Sequence, residues 1–244
     1  MSSSDDLESS LWLLHTARRP GEVKGVNLSP SLTNLSSGQK EVERKYELRK
    51  KGVAGRTLFS EAVVLVGSKL EQIGVVSQSI CVPFNGIDMY WILRGHDGQE
   101  RIVRYRAGSE RPPELTTKYQ LRRGSNEIRG EINLDVSATS PNTVRLHVAL
   151  MVDLAKSCKS FAIKQQGNIW KIPNAYGPGE IEIVAYRVER FLPTVQEGVF
   201  IEIEAIGCVS DEQALSAVSK YETFFGLRGK ECPRSIAELF RPKS

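Results

Sequence analysis

The sequence predicts an α+β, mainly β chain whose antiparallel strands close into a barrel with helices packed on its outside. Three observations carry this. From residue 41 onward, segment after segment alternates with a period of two, the signature of strands. Charged residues fall on one face of those segments: Glu41, Glu43 and Lys45 share a face of the first. In the last long segment, Val199, Ile201, Ile203 and Ala205 form an apolar face opposite Glu202 and Glu204. Amphipathic helices elsewhere in the chain need a sheet surface to bury against, so that apolar face turns outward onto helices and the glutamates turn inward. An interior lined by charge has to be wide, wet and occupied by a ligand.

The bulk numbers bound the rest. A chain of 244 residues with 40% apolar content builds one large core or two small ones. A net charge of +4, from 33 basic and 29 acidic residues, is too weak to argue for nucleic acid and suits a binder of polyanionic small molecules equally well. Cys81, Cys158, Cys208 and Cys232 form no CxxC unit, and His15, His96 and His147 have no metal-ligand spacing, which argues against zinc. Scattered cysteines fit a reducing compartment. No apolar run reaches the length of a membrane span. There is no GxxxxGK[ST] loop, no GxSxG elbow and no GxGxxG after a strand.

Residues 1–39 read as an appendage. Leu7, Leu11 and Leu14 recur at helical spacing, and a Ser-, Asn-, Gly- and Pro-rich linker follows. The main domain spans 40–244. After a strand over 41–48, Ala62, Leu65, Leu70 and Ile73 predict a helix over 58–74. Extended segments follow at 75–84 and 88–93. His96-Asp97-Gly98 is a hairpin turn leading into strands at 100–107, 114–122 and 126–135. Ser140 caps and Pro141 opens a helix through Val144, Val148, Met151 and Leu154. Residues 160–165 and 168–172 read as a hairpin around Gly167, and 180–191 and 199–206 as the last long strands. Ser210 with Gln213 caps a helix to about 225, and Pro233 starts a short one through Phe240.

The inward candidates are Glu41, Glu43, Lys45, Arg104, Arg106, Lys118, Arg129, Glu131, Lys164, Glu180, Glu182, Glu202 and Glu204. Carboxylates cluster on the first and last strands, which a closed barrel makes neighbours. Glutamate oxygens suit a hard divalent ion, Mg²⁺ or Mn²⁺. Lys45, Arg104, Arg106, Lys118, Arg129 and Lys164 suit phosphate oxygens. Several cations together with a metal ask for a polyphosphate, and attack of a metal-held water on its terminal phosphorus is the simplest reaction.

Glu41-Val42-Glu43-Arg44-Lys45 resembles the ExExK signature of the CYTH superfamily, the triphosphate tunnel metalloenzymes. The likeness runs from about residue 39 to 240. Arg101-Ile-Val-Arg104-Tyr-Arg106 resembles the family's paired-basic strand, Glu114-Leu-Thr-Thr-Lys118 its ELTxK strand, Arg129-Gly-Glu131 its RxE strand, and Phe200-Ile-Glu202-Ile-Glu204 its FxExE strand. The resemblance implies an eight-stranded antiparallel tunnel in which Glu41, Glu43, Glu202 and Glu204 bind metal and the basic residues grip a triphosphate. With it, Glu41, Glu43, Lys45, Glu131 and Glu182 become the catalytic candidates, and Lys164 falls near an expected basic position. One departure stands out: Tyr186 occupies the place of an Asp that assists the metal or its water in relatives, a loss for which Glu131 or Glu182 could compensate. The implied activity is metal-dependent hydrolysis of thiamine, inorganic or nucleoside triphosphate, with a thiamine triphosphatase as the nearest likeness. The alternatives are an RNA 5′-triphosphatase of mRNA capping, a class IV adenylyl cyclase and a non-catalytic polyphosphate binder. A small triphosphate is the expected partner, with nucleic acid only in the RNA case and no membrane. The expected location is the cytoplasm, or the nucleus for a capping enzyme.

Overall fold

The computed structural model describes residues 40–74, 80–96, 98, 100–108, 113–122, 128–136, 141–175, 177, 179–192, 195–208 and 210–242. The expected appendage and linker at 1–39 lie outside these, as do Asp97 and Ser140. The elements run β1 (Lys40–Leu48), α1 (Gly55–Gln72), β2 (Ile80–Arg94), β3 (Glu100–Gly108), β4 (Glu114–Arg122), β5 (Ile128–Asp135), α2 (Pro141–Asp153), β6 (Ser157–Pro173), β7 (Glu180–Leu192), β8 (Gln196–Ile206), α3 (Asp211–Phe225) and α4 (Ile236–Phe240). No helix among the described residues is long and apolar enough to cross a membrane.

The class is the expected one, a mainly β antiparallel sheet with a few helices. The strand order is β1-β5-β4-β3-β2-β6-β7-β8, and β1 pairs on its other side with β8 from Val42↔Ala205 to Leu48↔Val199, so the ladder returns to its start. The narrowest seam is β1 against β5, where the pairs are Lys40↔Gly130 and Glu41↔Arg129.

The two faces of the sheet bury different things. On the outside, Val199, Ile201, Ile203 and Ala205 of β8 pack with Ala62, Val66 and Leu70 of α1 and with Ala214, Val218 and Tyr221 of α3. This is the outward apolar face that the alternation of β8 predicts. Elsewhere on the outside, α2 sets Val148 against Met89, Trp91 and Val103. Ser210 Oγ accepts from Gln213 N at 3.3 Å to start α3, and Gly226, at φ 70°, ends it.

The fourth helix departs from the expectation that helices lie outside. Ala237 and Phe240 of α4 join Tyr90, Phe161, Tyr186 and Phe200, whose alternation places them on the inner face, so α4 closes one end of the interior. Its start is Ile236 rather than Pro233, because Ser235 and Glu238 form a reciprocal capping box. Arg190 Nη1 donates to Phe240 O at 2.6 Å, and Gln196 Nε2 to Leu239 O at 3.0 Å, which anchors it.

Two expected breaks do not exist. Residues 160–165 and 168–172 belong to one strand, β6, paired with β2 and β7 on both sides of Gly167. That glycine serves close approach rather than a turn: a Cβ there would stand 2.6 Å from Phe84 Cε1 and Tyr186 Cβ, and 2.7 Å from Ala185 O. The extended segments ending at 84 and beginning at 88 are likewise one strand, β2, running through Gly86, where an added Cβ would meet Ala107 O at 2.8 Å.

Candidate active site

The inner face encloses a cavity of about 220 Å³. Its polar wall comes from six strands: Glu43 and Lys45 of β1, Asp88 of β2, Arg104 and Arg106 of β3, Glu114 and Thr116 of β4, Gln165 of β6, and Glu202 and Glu204 of β8. Its apolar wall includes Phe84, Ile102, Ile169 and Val184, and Ser235, Ile236 and Ala237 border one end.

Strand register explains the carboxylates. Glu43 of β1 stands opposite Glu204 of β8, which in turn stands opposite Glu182 of β7. Like charges directly opposite repel, so such a row calls for cations nearby. Lys45, 4% exposed, faces Glu202 across the same ladder. Among the described residues its ammonium has no ion pair, although it lines the cavity. A buried ammonium is costly without an anion, so a cavity wall that carries one favours an anionic occupant.

The two arginines are held differently. Arg104 Nη2 donates to Glu114 Oε1 at 3.2 Å and to Thr116 Oγ1 at 3.1 Å. Arg106 donates Nε and Nη2 to the two oxygens of Asp88, both at 2.9 Å, and Asp88 also accepts from Gln165 Nε2 at 2.9 Å. Burial works to raise the Asp88 pKa, but the charge and hydrogen bonds of Arg106 overcome it and hold the carboxyl below its ordinary value. Burial likewise works to lower the Arg106 pKa, and Asp88 pushes it up instead. Because the folded value of Asp88 is depressed, its contribution to stability is full above the unfolded carboxyl value. It is lost as pH falls through the folded one. Thermal melting is therefore expected to weaken on acidification below pH ~4. Asp88→Asn should flatten that acid limb, and an identical limb in both proteins would contradict the assignment.

Tyr186 is buried against Phe200 and donates its hydroxyl to Glu202 Oε1 at 2.5 Å. Burial, followed by the charge of Glu202, pushes its pKa well up, so the phenol keeps its proton. Tyr186 therefore grips one of the candidate metal ligands.

The cavity thus gathers the candidates Glu43, Lys45, Arg104, Arg106, Glu202 and Glu204. Lys118 pairs with Glu131 and Glu41 with Arg129, at register positions of the same parity as Glu114 and Thr116; their side chains lie outside the described ones. Lys164 is corrected, and Glu182 stands apart from the cavity wall. Lys164 is exposed, because the neighbouring Ile163 and Gln165 take the inward positions of β6. Glu182 does not line the cavity; Lys171 Nζ donates to its Oε1 at 2.5 Å. Sequence reading missed Asp88, Glu114, Thr116 and Gln165. Asp88 and Arg106 are equidistant from residue 97, so the turn at His96–Gly98 already set them opposite each other.

Among the described residues, no three His, Cys, Asp or Glu side chains stand ready-made as a metal cage. The cavity carboxylates of Glu43, Glu202 and Glu204 are hard oxygen donors, the chemistry that suits Mg²⁺ or Mn²⁺.

No protein-family model matches the chain, and no curated protein does either. Among solved structures it is similar to the PH1012 protein of Pyrococcus horikoshii OT3, with a TM-score of 0.52 at 16% identity over 82% of this chain and 98% of that one. It is also similar to the PH1819 protein of the same organism, with a TM-score of 0.51 at 18% identity over 82% and 97% of the two chains. The HpAC1 protein of Hippeastrum, said to have a dominant triphosphatase activity, gives a TM-score of 0.48 at 13% identity over 82% and 94%. The first two establish a shared fold; the third is too distant to carry an argument.

Proposed function

We propose that the chain is a metal-dependent triphosphatase that hydrolyses the terminal anhydride of a thiamine, inorganic or nucleoside triphosphate inside this cavity. The observation that carries the reading is a single cavity lined by the buried Lys45, by Arg104 and Arg106, and by Glu43, Glu202 and Glu204. Cations of this kind suit the oxygens of an extended phosphate chain, and carboxylates suit a divalent ion. The five motifs behind the resemblance also fall on β1, β3, β4, β5 and β8 in chain order.

In this reading Lys45 is a point charge for phosphate oxygens, and Arg104 and Arg106 present guanidinium edges to them. Lys118 and Arg129 extend the basic wall from β4 and β5. Glu43, Glu202 and Glu204, joined by Glu41 from the same strand parity, would hold Mg²⁺ or Mn²⁺. When bound, the ion supplies Lewis acidity and lowers the pKa of a water. The reaction forms a bond from water oxygen to the terminal phosphorus and breaks the bridging P–O bond, leaving orthophosphate and a diphosphate. Glu131 is the remaining carboxylate candidate for handling the water proton.

One panel tests the reading. The protein is incubated with thiamine triphosphate, tripolyphosphate, ATP and triphosphate-ended RNA, with Mg²⁺ or Mn²⁺. Phosphate release from at least one, abolished by chelator, is the expected result. Pyrophosphate with cyclic AMP from ATP would point to a cyclase, and release from RNA alone to a capping-type enzyme. Binding without any release would support a second reading, a non-catalytic triphosphate binder, which the Tyr186–Glu202 bond favours by occupying a candidate metal ligand.

A further inference from the structure

Asp88 of β2 stands opposite Arg106 of β3, and its side chain is 2% exposed against 24% for the arginine. Its two oxygens take Nε and Nη2 of the guanidinium, and Oδ2 also accepts from Gln165 Nε2 at 2.9 Å and Tyr90 OH at 3.3 Å. Nη1 enters none of these bonds. We propose that Asp88 is the positioning residue for Arg106: it clamps the Nε/Nη2 edge so that the Nη1 edge is presented, already oriented, to an anion in the cavity. The nature of that anion rests on the triphosphate reading; the clamp itself does not. A guanidinium has two edges and can be held by one while it binds through the other, which an ammonium cannot. Ordering the side chain during folding removes that cost from binding.

Charge alone predicts the opposite sign. Asp88 is an anion beside the cation, so a pure Coulomb account has its neutralisation strengthen anion binding. Positioning has it weaken binding.

The test uses the full chain with Asp88→Asn, Arg106→Lys and the double variant. The Arg106 Nε–H signal, assigned by its disappearance in Arg106→Lys, is expected to exchange slowly with water in the wild type and fast in Asp88→Asn. Tripolyphosphate affinity by calorimetry is expected to fall about tenfold in Asp88→Asn. Arg106→Lys should then add little to Asp88→Asn. Unchanged or tighter binding in a folded Asp88→Asn protein, or full additivity of the two substitutions, overturns the proposal. If Asp88→Asn does not fold by circular dichroism, Gln165→Met decides instead by removing one donor from Oδ2. About threefold weaker binding and faster Nε–H exchange are expected, and wild-type exchange overturns the clamp. If the wild type binds no tripolyphosphate, the triphosphate reading fails, and the Nε–H exchange alone decides on Asp88.

Discussion

Glu204→Ala is expected to reduce triphosphate hydrolysis by roughly a thousandfold or more while the protein melts at or slightly above the wild-type temperature. Both parts follow from the carboxylate row. Glu204 stands between Glu43 and Glu182 in register, so its removal takes away a candidate ion ligand and also relieves like-charge crowding. Glu202→Ala should be as inactive but less stable, because it strips the acceptor from the buried Tyr186 hydroxyl. A buried hydroxyl left without its partner costs about 1–3 kcal/mol. Glu202→Gln, which keeps an acceptor, should recover most of that stability and none of the activity. Phosphate release and thermal melting of the three variants check this. Near-wild-type turnover in Glu204→Ala would remove the metal assignment.

The second large effect is structural. Gly167→Ala should destabilise the protein by about 1–3 kcal/mol, because the new methyl has no room between Phe84, Tyr186 and the Ala185 carbonyl. At this chain length that corresponds to a fall in melting temperature on the order of 5 °C. Gly167→Val should fail to accumulate as folded protein. A Gly167→Ala variant that melts with the wild type would mean that the crowding by Phe84, Tyr186 and the Ala185 carbonyl does not operate at this position.

That glycine also marks where the sequence stops being legible. A glycine that breaks an alternating pattern looks the same whether the chain turns there or another side chain lies across it. Only the positions of Phe84 and Tyr186 decide, and both are remote in sequence. β8 was readable for the converse reason: its two faces differ in kind, and α1 and α3 give the apolar one somewhere to go. Lys164 was misplaced because reading a turn at Gly167 left the parity of the preceding residues unconstrained, whereas the continuous strand puts Gln165 inside. Asp88 was hidden in an apolar segment, since its role comes from a partner one hairpin away. α4 was recognisable as a short helix, but nothing local to it reveals that Ala237 and Phe240 face the interior.

The central claim is that the inward basic side chains grip a phosphate chain, and titration with tripolyphosphate in the presence of Mg²⁺ tests it most directly. Wild type, Arg101→Ala, Arg104→Ala and Arg106→Ala are compared by calorimetry. Arg101 is exposed and has the opposite strand parity, whereas Arg104 and Arg106 line the cavity. The account predicts that one tripolyphosphate binds, that Arg101→Ala binds as the wild type does, and that Arg104→Ala and Arg106→Ala each bind at least about tenfold more weakly. Absence of binding by the wild type, or equal affinities across all four proteins, would contradict it.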